Sequence, residues 1–402
     1  MLKTLLSPWP SYSKQEAEAV SSVLISNKVN YWTGQEGRRF EKEFAQWSGA
    51  KYAVALANGT VALDIALKAL KVGAGDEVVT TSRTFLASAS SIVTAGAVPI
   101  FADVDINTQN ITADSISEVL TAKTKAIIVV HLAGMPADMD PIMELASKNG
   151  VYVIEDCAQA HGAQYKGQSV GTIGHIGAWS FCQDKIMTTG GEGGMVTTNS
   201  KELWSFMWSY KDHGKSWDSI YNKEHPPGFR WLHDSFGTNW RMTEMQSAIG
   251  RIQLKKMHKW TEQRQENFRA ISQTCQKYKA LRVPKIQCAG CKSPCTDLVG
   301  CVHAAYKCYV FVVSSELNEG WNRDEVMNAI SSKGIPCLSG SCSEVYMERA
   351  FDNTGFRPKE RLKNAKVLGE TSLMFLVHPT LQKEEIEMTC KAIDEVMQEA
   401  SK

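Results

Sequence analysis

Short apolar runs alternate with helix-like segments between residues 52 and 200. The runs are rich in β-branched and aromatic residues and occupy positions 77–81, 98–101, 126–130, 151–154, 178–181 and 195–198. Helix-like segments lie between several of them, for example at 61–70 and 140–148. Continuous apolar strands separated by helices are typical of a mainly parallel sheet with helices on both faces. The pattern therefore predicts a three-layer α/β domain.

A long helix and a second α/β pattern make up the rest of the chain. One helix begins near Glu36, and a long helical stretch covers residues 241–278. The later pattern predicts a strand at 309–313, a helix at 323–332, a strand at 373–376 and a final helix from Lys383. We expect an N-terminal arm and large domain over residues 1–260, followed by a smaller C-terminal α/β domain over residues 261–402.

Composition and charge narrow the possible functions. The 402 residues include 44 basic and 43 acidic ones, so the net charge of +1 argues against a broad nucleic-acid-binding face. The N-terminus lacks the apolar core and cleavage site of a secretory signal. The uncharged stretch 84–102 is interrupted by Pro99 and too polar to span a membrane, and we interpret it as a buried helix, a turn at Gly96 and a strand. We expect a cytoplasmic protein with no membrane or nucleic-acid partner.

Chemically useful groups lie where the predicted parallel strands end, which is where such sheets bind ligands. Asn58-Gly59-Thr60 opens the helix at 61–70, and the free N–H groups of a helix N-terminus favour a phosphate. An ordinary N-cap would show the same residues.

Asp156 follows the apolar strand at 151–154 and is the second such group. A carboxylate there is costly to bury unless it meets a cation or strong donors, and a protonated pyridine nitrogen would serve. Gln159 lies one turn later and could donate to a ring hydroxyl. The alternative is a structural aspartate that caps a neighbouring loop.

The loop after the strand at 178–181 supplies an amine. That strand contains Ser180 and ends at Phe181, and Lys185 follows within a turn. A glycine-rich segment at 190–194 allows close backbone approach to a ligand. A desolvated lysine is a competent nucleophile and proton carrier, whereas most loop lysines are solvated. Phe85 follows the strand at 77–81 and could stack on a flat ring, or it could be a core residue.

The ordered set of these motifs resembles the DegT/DnrJ/EryC1/StrS aminotransferases, a branch of the fold-type I enzymes that use pyridoxal 5′-phosphate. The resemblance covers about residues 30–260, with a weaker match at 377–380. Its motifs are NGTVAL at 58–63, GDEV at 75–78, TF at 84–85, DVD at 103–105, HLAG at 131–134, EDCAQAHGA at 155–163, S-x4-K at 180–185, GEGG at 191–194 and GTNWRM at 237–242.

The resemblance implies roles for individual residues. Lys185 would form a Schiff base with the cofactor, and Asp156 would pair with its pyridine nitrogen. The remaining residues would hold the cofactor: Gly59, Thr60 and Ser180 at the phosphate, Phe85 on the ring, Gln159 at the ring oxygen and, from a neighbouring subunit, Asn239. The active unit would then be a homodimer with shared sites.

The implied reaction moves an amino group from glutamate or glutamine to a keto-sugar. The acceptor would be a nucleotide-linked keto-hexose or a keto sugar acid such as an 8-keto octulosonate, in the biosynthesis of amino sugars or surface lipopolysaccharide. Two positions depart from the family pattern. Asn58 stands where serine is common and keeps a polar cap for the phosphate, and the segment that begins at Ile186 after the lysine indicates a sub-branch. The alternatives are a sugar dehydratase of the same family, which carries histidine in place of the lysine, and a non-catalytic sensor.

Five cysteines cluster in the C-terminal part and raise the question of a metal. The candidate ligands for zinc or an iron–sulfur cluster are Cys288, Cys291, Cys295 and Cys301, with His303 and Cys308 close behind. Only the first two show the spacing of a zinc knuckle. Because the family resemblance implies no metal here, we assign none; a loop of free thiols and a structural metal both remain open.

Overall fold

The chain is described by a computed structural model over residues 6–285 and 300–402. Its α-helices are α1 (Lys14–Ile25), α2 (Glu36–Ser48), α3 (Gly59–Ala69), α4 (Ala87–Thr94), α5 (Ala113–Ser117), α6 (Met139–Asn149), α7 (Lys201–Tyr210), α8 (Trp217–Tyr221), α9 (Glu244–Cys275), α10 (Arg323–Ser332), α11 (Lys363–Thr371) and α12 (Lys383–Ala400). Its strands are β1 (Tyr52–Leu56), β2 (Glu77–Thr81), β3 (Val98–Ala102), β4 (Thr124–Val130), β5 (Tyr152–Asp156), β6 (Gln164–Tyr165), β7 (Gln168–Ser169), β8 (Ile176–Ser180), β9 (Gly194–Thr198), β10 (Leu281–Arg282), β11 (Cys308–Val312), β12 (Cys337–Leu338) and β13 (Ser372–Phe375).

The large domain is built on a seven-stranded sheet with the strand order β1-β9-β8-β5-β4-β2-β3. All neighbouring pairs are parallel except those of β9, which runs antiparallel to both β1 and β8. The predicted mainly parallel sheet is therefore confirmed. The exception has a physical reason, because β8 and β9 are joined by a loop without a crossover helix, and parallel neighbours need such a crossover. The apolar pattern did not identify β1 as a separate strand.

Alternate residues of the central strands pack against opposite helical layers. Ile128 of β4 shares a core with Ile65 of α3, whereas its neighbour Ile127 shares a second core with Ile142 of α6. The strand period of two residues thus sends successive apolar side chains to two faces. Each such side chain removed from water contributes about 1.5–3 kcal/mol, so both faces hold the helices in place.

A smaller C-terminal α/β domain follows, as predicted. Its four-stranded antiparallel sheet has the order β10-β11-β13-β12 and packs against α10 and α12. The connecting helix α9 begins at a capping box, in which Thr243 Oγ1 accepts from Gln246 N and Gln246 Oε1 accepts from Thr243 N. Because α9 continues through residue 260, the predicted domain boundary at that position stays a prediction.

The uncharged stretch 84–102 forms the structure expected of it. It contains α4, a turn at Gly96 with a φ of +83°, and β3. Glycine suits this turn because a side chain is disfavoured at positive φ. Within the described residues, no helix is both long and apolar enough to cross a membrane.

Residues 6–12 form an N-terminal arm that contacts both domains. Ser7 N donates to Glu385 Oε1 of α12 at 2.5 Å, and Thr380 Oγ1 donates to the carbonyl oxygen of Pro8 at 2.8 Å. The indole of Trp9 stacks on the ring of His378, with ring centroids 6.0 Å apart. The arm therefore joins the last helix of the chain to the large domain.

Candidate active site

The predicted site residues meet at the carboxyl edge of the parallel strands. Asp156 ends β5, Ser180 ends β8, and Gly59 and Thr60 begin α3. A Cβ atom added to Gly59 would lie only 2.5 Å from the Cβ of Ser180, so the helix start rests directly against the end of β8. This close approach requires glycine and creates a concave cradle lined by backbone N–H groups.

The start of α3 has the features of an anion site. Asn58 Oδ1 accepts from Val61 N at 3.0 Å and caps the helix, which leaves the N–H groups of Gly59 and Thr60 without intrahelical acceptors. The hydroxyl of Ser180 stands beside them. A phosphate placed there would receive hydrogen bonds and meet the positive end of the helix dipole.

Asp156 is buried with neutral partners only. Its Oδ2 accepts from Ser88 Oγ at 2.8 Å, its Oδ1 accepts from Ala158 N at 3.1 Å, and the Ser88 hydroxyl is itself 2.8 Å from Thr84 Oγ1. Within the described chain, no basic side chain forms an ion pair with this carboxylate. Its charge is therefore available for a cationic group of a ligand.

The preceding residue, Glu155, is equally buried but faces the opposite side of the sheet. Its two oxygens accept from the N–H groups of Gly171, Ile173 and Gly174 and from Nε2 of His131, at distances of 2.6–3.0 Å. Because these donors use the acceptor capacity of the carboxylate, Glu155 fixes a loop and has nothing left for a ligand. Glu155 therefore has a structural role, whereas the adjacent carboxylate of Asp156 is available to a ligand.

Gln159 and Phe85 complete the walls of the cradle. Gln159 Oε1 accepts from Ala133 N at 2.8 Å, which fixes the orientation of the side-chain amide. Its NH₂ group is therefore directed away from Ala133 N. Phe85 is 69% exposed, so the alternative of a core phenylalanine is wrong. It lies between Thr84 and Ser88, the residues that connect to Asp156, and its free ring is available for stacking.

Lys185 is largely buried and is not a solvated surface lysine. Its side chain is 16% exposed, and its Nζ lies 4.0 Å from Asp184 Oδ1 and 5.4 Å from the centroid of the Tyr306 ring. Tyr306 Oη donates to Asp184 Oδ2 at 2.5 Å. On the backbone side, Trp9 Nε1 donates to the carbonyl oxygen of Lys185 at 2.9 Å. The N-terminal arm and the segment before β11 thus position the lysine together.

Asp184 is ionised in this arrangement. Burial acts to raise the pKa of its carboxyl, but Lys185, the Tyr306 hydroxyl and Lys307 outweigh that effect and hold the pKa below its usual value. Burial and the neighbouring Asp184 raise the pKa of Tyr306 well above its ordinary value, so its hydroxyl stays protonated. The pair therefore offers Lys185 a fixed negative charge and a neutral aromatic face.

Asn239 is exposed, and its backbone runs beside the phosphate cradle. Ala57 N donates to the carbonyl oxygen of Trp240 at 2.9 Å, and Leu56 forms an antiparallel bridge with Arg241. Asn239 itself forms an antiparallel bridge with Asp212 of the same chain. The part that Asn239 plays in the site, and in which subunit, stays a prediction.

The structure describes only part of the cysteine cluster. Cys288, Cys291 and Cys295 lie outside the described residues. Cys301 is buried, and its Sγ accepts from Lys166 N at 3.2 Å, while Cys308 lies in a separate apolar core. Among the described residues, the one group of three metal-ligand types is His131, Glu155 and Cys157, in which Glu155 is already saturated by the donors given above.

Several residues that shape the site were not identified from the sequence. Four side chains contact the predicted residues directly: Ser88, Asp184, Tyr306 and Trp9. The last two lie far from Lys185 along the chain. Ser88 and Asp184 had a local signal, since each lies within three residues of a predicted site residue. Trp9 and Tyr306 had none, because only the tertiary fold brings them to Lys185.

The cradle, the unpaired carboxylate and the held lysine together fit pyridoxal 5′-phosphate. The glycine-lined helix start suits its phosphate, Asp156 suits its ring nitrogen, and Lys185 suits its aldehyde. Asp156 and Ser180 end the neighbouring strands β5 and β8, Gly59 rests against Ser180, and Lys185 follows β8 by five residues.

Comparisons with known proteins agree with this chemistry. The model of the DegT/DnrJ/EryC1/StrS aminotransferase family matches residues 10–394. The GDP-perosamine synthase of Caulobacter vibrioides is 34% identical over 373 residues, covering 91% of this chain and 92% of that protein. The GDP-perosamine synthase of Escherichia coli O157:H7 is 42% identical over 261 residues, covering 64% of this chain and 67% of that protein.

A solved structure is closely similar over almost the whole chain. The aminotransferase from Psychrobacter cryohalolentis is 62% identical, with a TM-score of 0.95, and the match covers 98% of this chain and 99% of that one. The chain therefore belongs to the DegT/DnrJ/EryC1/StrS aminotransferase family and is a sugar aminotransferase that uses pyridoxal 5′-phosphate.

Proposed function

We propose that this aminotransferase takes its amino group from glutamate or glutamine and delivers it to a keto-sugar used in amino-sugar or surface-polysaccharide biosynthesis. The acceptor is a nucleotide-linked keto-hexose or a keto sugar acid such as an 8-keto octulosonate. The observation that carries the proposal is the convergence of Lys185, Asp156 and the α3 cradle on one edge of the sheet. Relatives named as GDP-perosamine synthases support a sugar acceptor.

Each site residue has a defined task in this proposal. Bound pyridoxal phosphate supplies an electron sink for the electrons of the donor's Cα–H bond. Asp156 keeps a proton on the ring nitrogen by its negative charge, and Gln159 donates to the ring oxygen. Gly59, Thr60 and Ser180 bind the phosphate, and Phe85 covers the ring. The amine of Lys185 anchors the cofactor and carries the proton from the donor's Cα, as a general base and then a general acid.

Two rival functions, a sugar dehydratase of the same family and a non-catalytic sensor, can each be distinguished from transamination by one feature. The family's dehydratases carry histidine at the position of Lys185, so the lysine favours transamination. A non-catalytic sensor would need neither a held amine nor an unpaired buried carboxylate. A cofactor absorbance that bleaches when glutamate is added would exclude the sensor.

The acceptor can be identified by direct trapping. We expect the enzyme converted to its pyridoxamine form with glutamate to regain the pyridoxal absorbance only when the correct keto-sugar is added. Reduction with cyanoborohydride and mass spectrometry of the adduct then identify the sugar. If none of the nucleotide-linked keto-hexoses or keto sugar acids restores the absorbance, the proposed acceptor class is wrong.

We also propose that the enzyme works in the cytoplasm as a homodimer. Three large aromatic side chains, Phe229, Trp231 and Phe236, stand exposed on the segment before Asn239, and Phe236 is 99% exposed. Such a group of exposed aromatics is typical of an interface. A second subunit docked there would bring its own phosphate cradle against Asn239. The eight described cysteines are unpaired thiols, which suits a reducing compartment.

A mixed-subunit experiment tests the shared site. Asn239→Ala should weaken cofactor affinity about 10- to 100-fold, the usual cost of one charge-assisted hydrogen bond. Mixed with equal Lys185→Ala protein, it should recover about a quarter of the wild-type rate. Half of the dimers are then mixed, and each has one site with both intact residues.

The same experiment separates the two positions that Asn239 could serve. If Asn239 acts on the cradle of its own chain, no mixed dimer contains an intact site and the rate stays at the level of the single variants. Subunit exchange is followed in parallel with two affinity tags, so that unmixed protein is recognised. Full activity of a monomer would contradict the dimer itself.

A further inference from the structure

Lys307, the residue directly before β11, places its ammonium group against the ring of Tyr306. Its Nζ lies 4.8 Å from the centroid of the Tyr306 ring, the same ring that Lys185 Nζ approaches to 5.4 Å. Among the described residues, none forms a hydrogen bond or an ion pair with the Lys307 side chain. Two lysine amines therefore lie against one aromatic ring. The Asp184 carboxylate lies 4.0 Å from Lys185 Nζ and attracts Lys307 without forming an ion pair with it.

A third cation lies behind these two lysines. Arg264 of α9 is fully buried, and its Nε and Nη2 atoms have no hydrogen-bond partner, while Nη1 donates to the carbonyl oxygen of Tyr306 at 3.4 Å. The neighbouring His378 is neutral, because burial and then the charges of Arg264 and Lys307 lower its pKa to about 3. The pocket thus holds three basic groups and one carboxylate.

This excess of positive charge is costly in the absence of an anion. Burial, together with repulsion from Arg264 and Lys185, lowers the pKa of Lys307 to about 8 despite the attraction of Asp184. The carboxylate of Asp184 is already engaged by Tyr306 Oη at 2.5 Å. An anionic ligand that reached Lys307 would neutralise part of this excess positive charge. Buried ammonium groups normally have such a negatively charged partner.

The position of Lys307 selects the kind of anion. The cofactor phosphate is accounted for by the start of α3, which belongs to a different part of the site. In an amino-acid donor the carboxylate is bonded to the carbon that reacts beside Lys185. A receptor for it must therefore lie close to Lys185, as Lys307 does.

We propose that Lys307 binds the carboxylate of a substrate next to the reacting carbon and so selects acidic substrates. The inference rests on the proposed amino-acid donor, glutamate or glutamine, whose carboxylate is bonded to the reacting carbon. The carboxylate of an 8-keto octulosonate lies at the opposite end of that sugar from its reacting carbon and does not meet this condition. Lys307 positions the substrate and takes no part in proton transfer.

The test compares three variants of the holoenzyme. In single-turnover reactions followed by cofactor absorbance, Lys307→Met should raise the concentration of L-glutamate that gives half-maximal rate about 10- to 100-fold, the value of one charge-assisted hydrogen bond. The limiting rate should change much less. Lys307→Arg should retain most of the affinity. Lys277→Met, which removes an exposed lysine paired with Asp394, is the matched control and should behave as wild type.

A binding measurement without turnover provides the second readout. α-Methyl-L-glutamate has no α-hydrogen, so it binds without completing the reaction, and the shift in cofactor absorbance reports its affinity. Lys307→Met should weaken this binding by the same factor as the glutamate dependence. The thermal midpoint and the cofactor content of each variant show whether the fold is retained.

The outcomes separate the two carboxylate sources and the two proposals. Unchanged glutamate and α-methylglutamate affinities, with weakened use of a keto sugar acid by the pyridoxamine form, assign Lys307 to the acceptor and overturn the inference. Unchanged affinity in both arms overturns it as well. If wild-type protein reacts with neither glutamate nor glutamine, the proposed donor is wrong, and the affinity for the amino acid that does react then tests Lys307, because every amino-acid donor carries the same carboxylate.

Discussion

Lys185→Ala should abolish turnover, with a loss of about 10⁴-fold or more, because the variant lacks both the anchoring amine and the acid–base group at the donor's Cα. Its cofactor should remain bound without a covalent bond, held by the α3 cradle and Asp156. The measurement is borohydride reduction followed by peptide mapping, which should label Lys185 in the wild type and no residue in the variant.

The control for this substitution is Lys148→Ala. Lys148 pairs with Glu144 on the surface of α6, and its loss should leave the labelling and the rate unchanged. The fold of Lys185→Ala should persist, because the hydrogen bond from Trp9 goes to the backbone carbonyl oxygen of residue 185 and survives the change. Label on any other lysine of the wild-type protein would show that the assignment is wrong.

Asp156→Asn should bind the cofactor but lose about 10²- to 10³-fold in the rate of the glutamate half-reaction, as expected when a fixed charge is removed from a preorganised site. Asparagine can keep both contacts, because its oxygen can accept from Ala158 N and its NH₂ can donate to Ser88 Oγ, whose hydroxyl then donates to Thr84 Oγ1. What is lost is the negative charge that holds a proton on the ring nitrogen. Stopped-flow absorbance of the half-reaction measures the change.

Ser88→Ala provides the matched comparison. It removes the hydrogen bond to Asp156 but leaves the carboxylate charged, so its effect should stay within about tenfold. If Asp156→Asn were no slower than Ser88→Ala, the carboxylate would be a structural group and its charge would have no part in the reaction.

The sequence was most informative where the local pattern and the chemistry coincide. Asp156, Ser180 and Gly59 each lie directly at the end of a strand or the start of a helix, so the alternation of elements was enough to place them on one edge. The strand period also separates Asp156 from Glu155, although only the structure shows that Glu155 is saturated by backbone donors.

The residues that support Lys185 could not be predicted in the same way. Tyr306 and Trp9 reach the lysine through tertiary contacts across 121 and 176 positions of the chain, and no periodicity encodes such contacts. The antiparallel direction of β9 was missed for a related reason. Its apolar residues look the same in either direction, and the direction depends on the loop that precedes it.

The N-terminal arm has a consequence for the order in which the protein forms during synthesis. Ser7 bonds to Glu385, 378 positions later, so the arm cannot dock until nearly the whole chain has left the ribosome. The large sheet ends at residue 198 and can pair its strands much earlier. The backbone beneath Lys185 therefore receives its Trp9 contact only at the end of translation, and a nascent chain has a formed sheet before it has a completed active site.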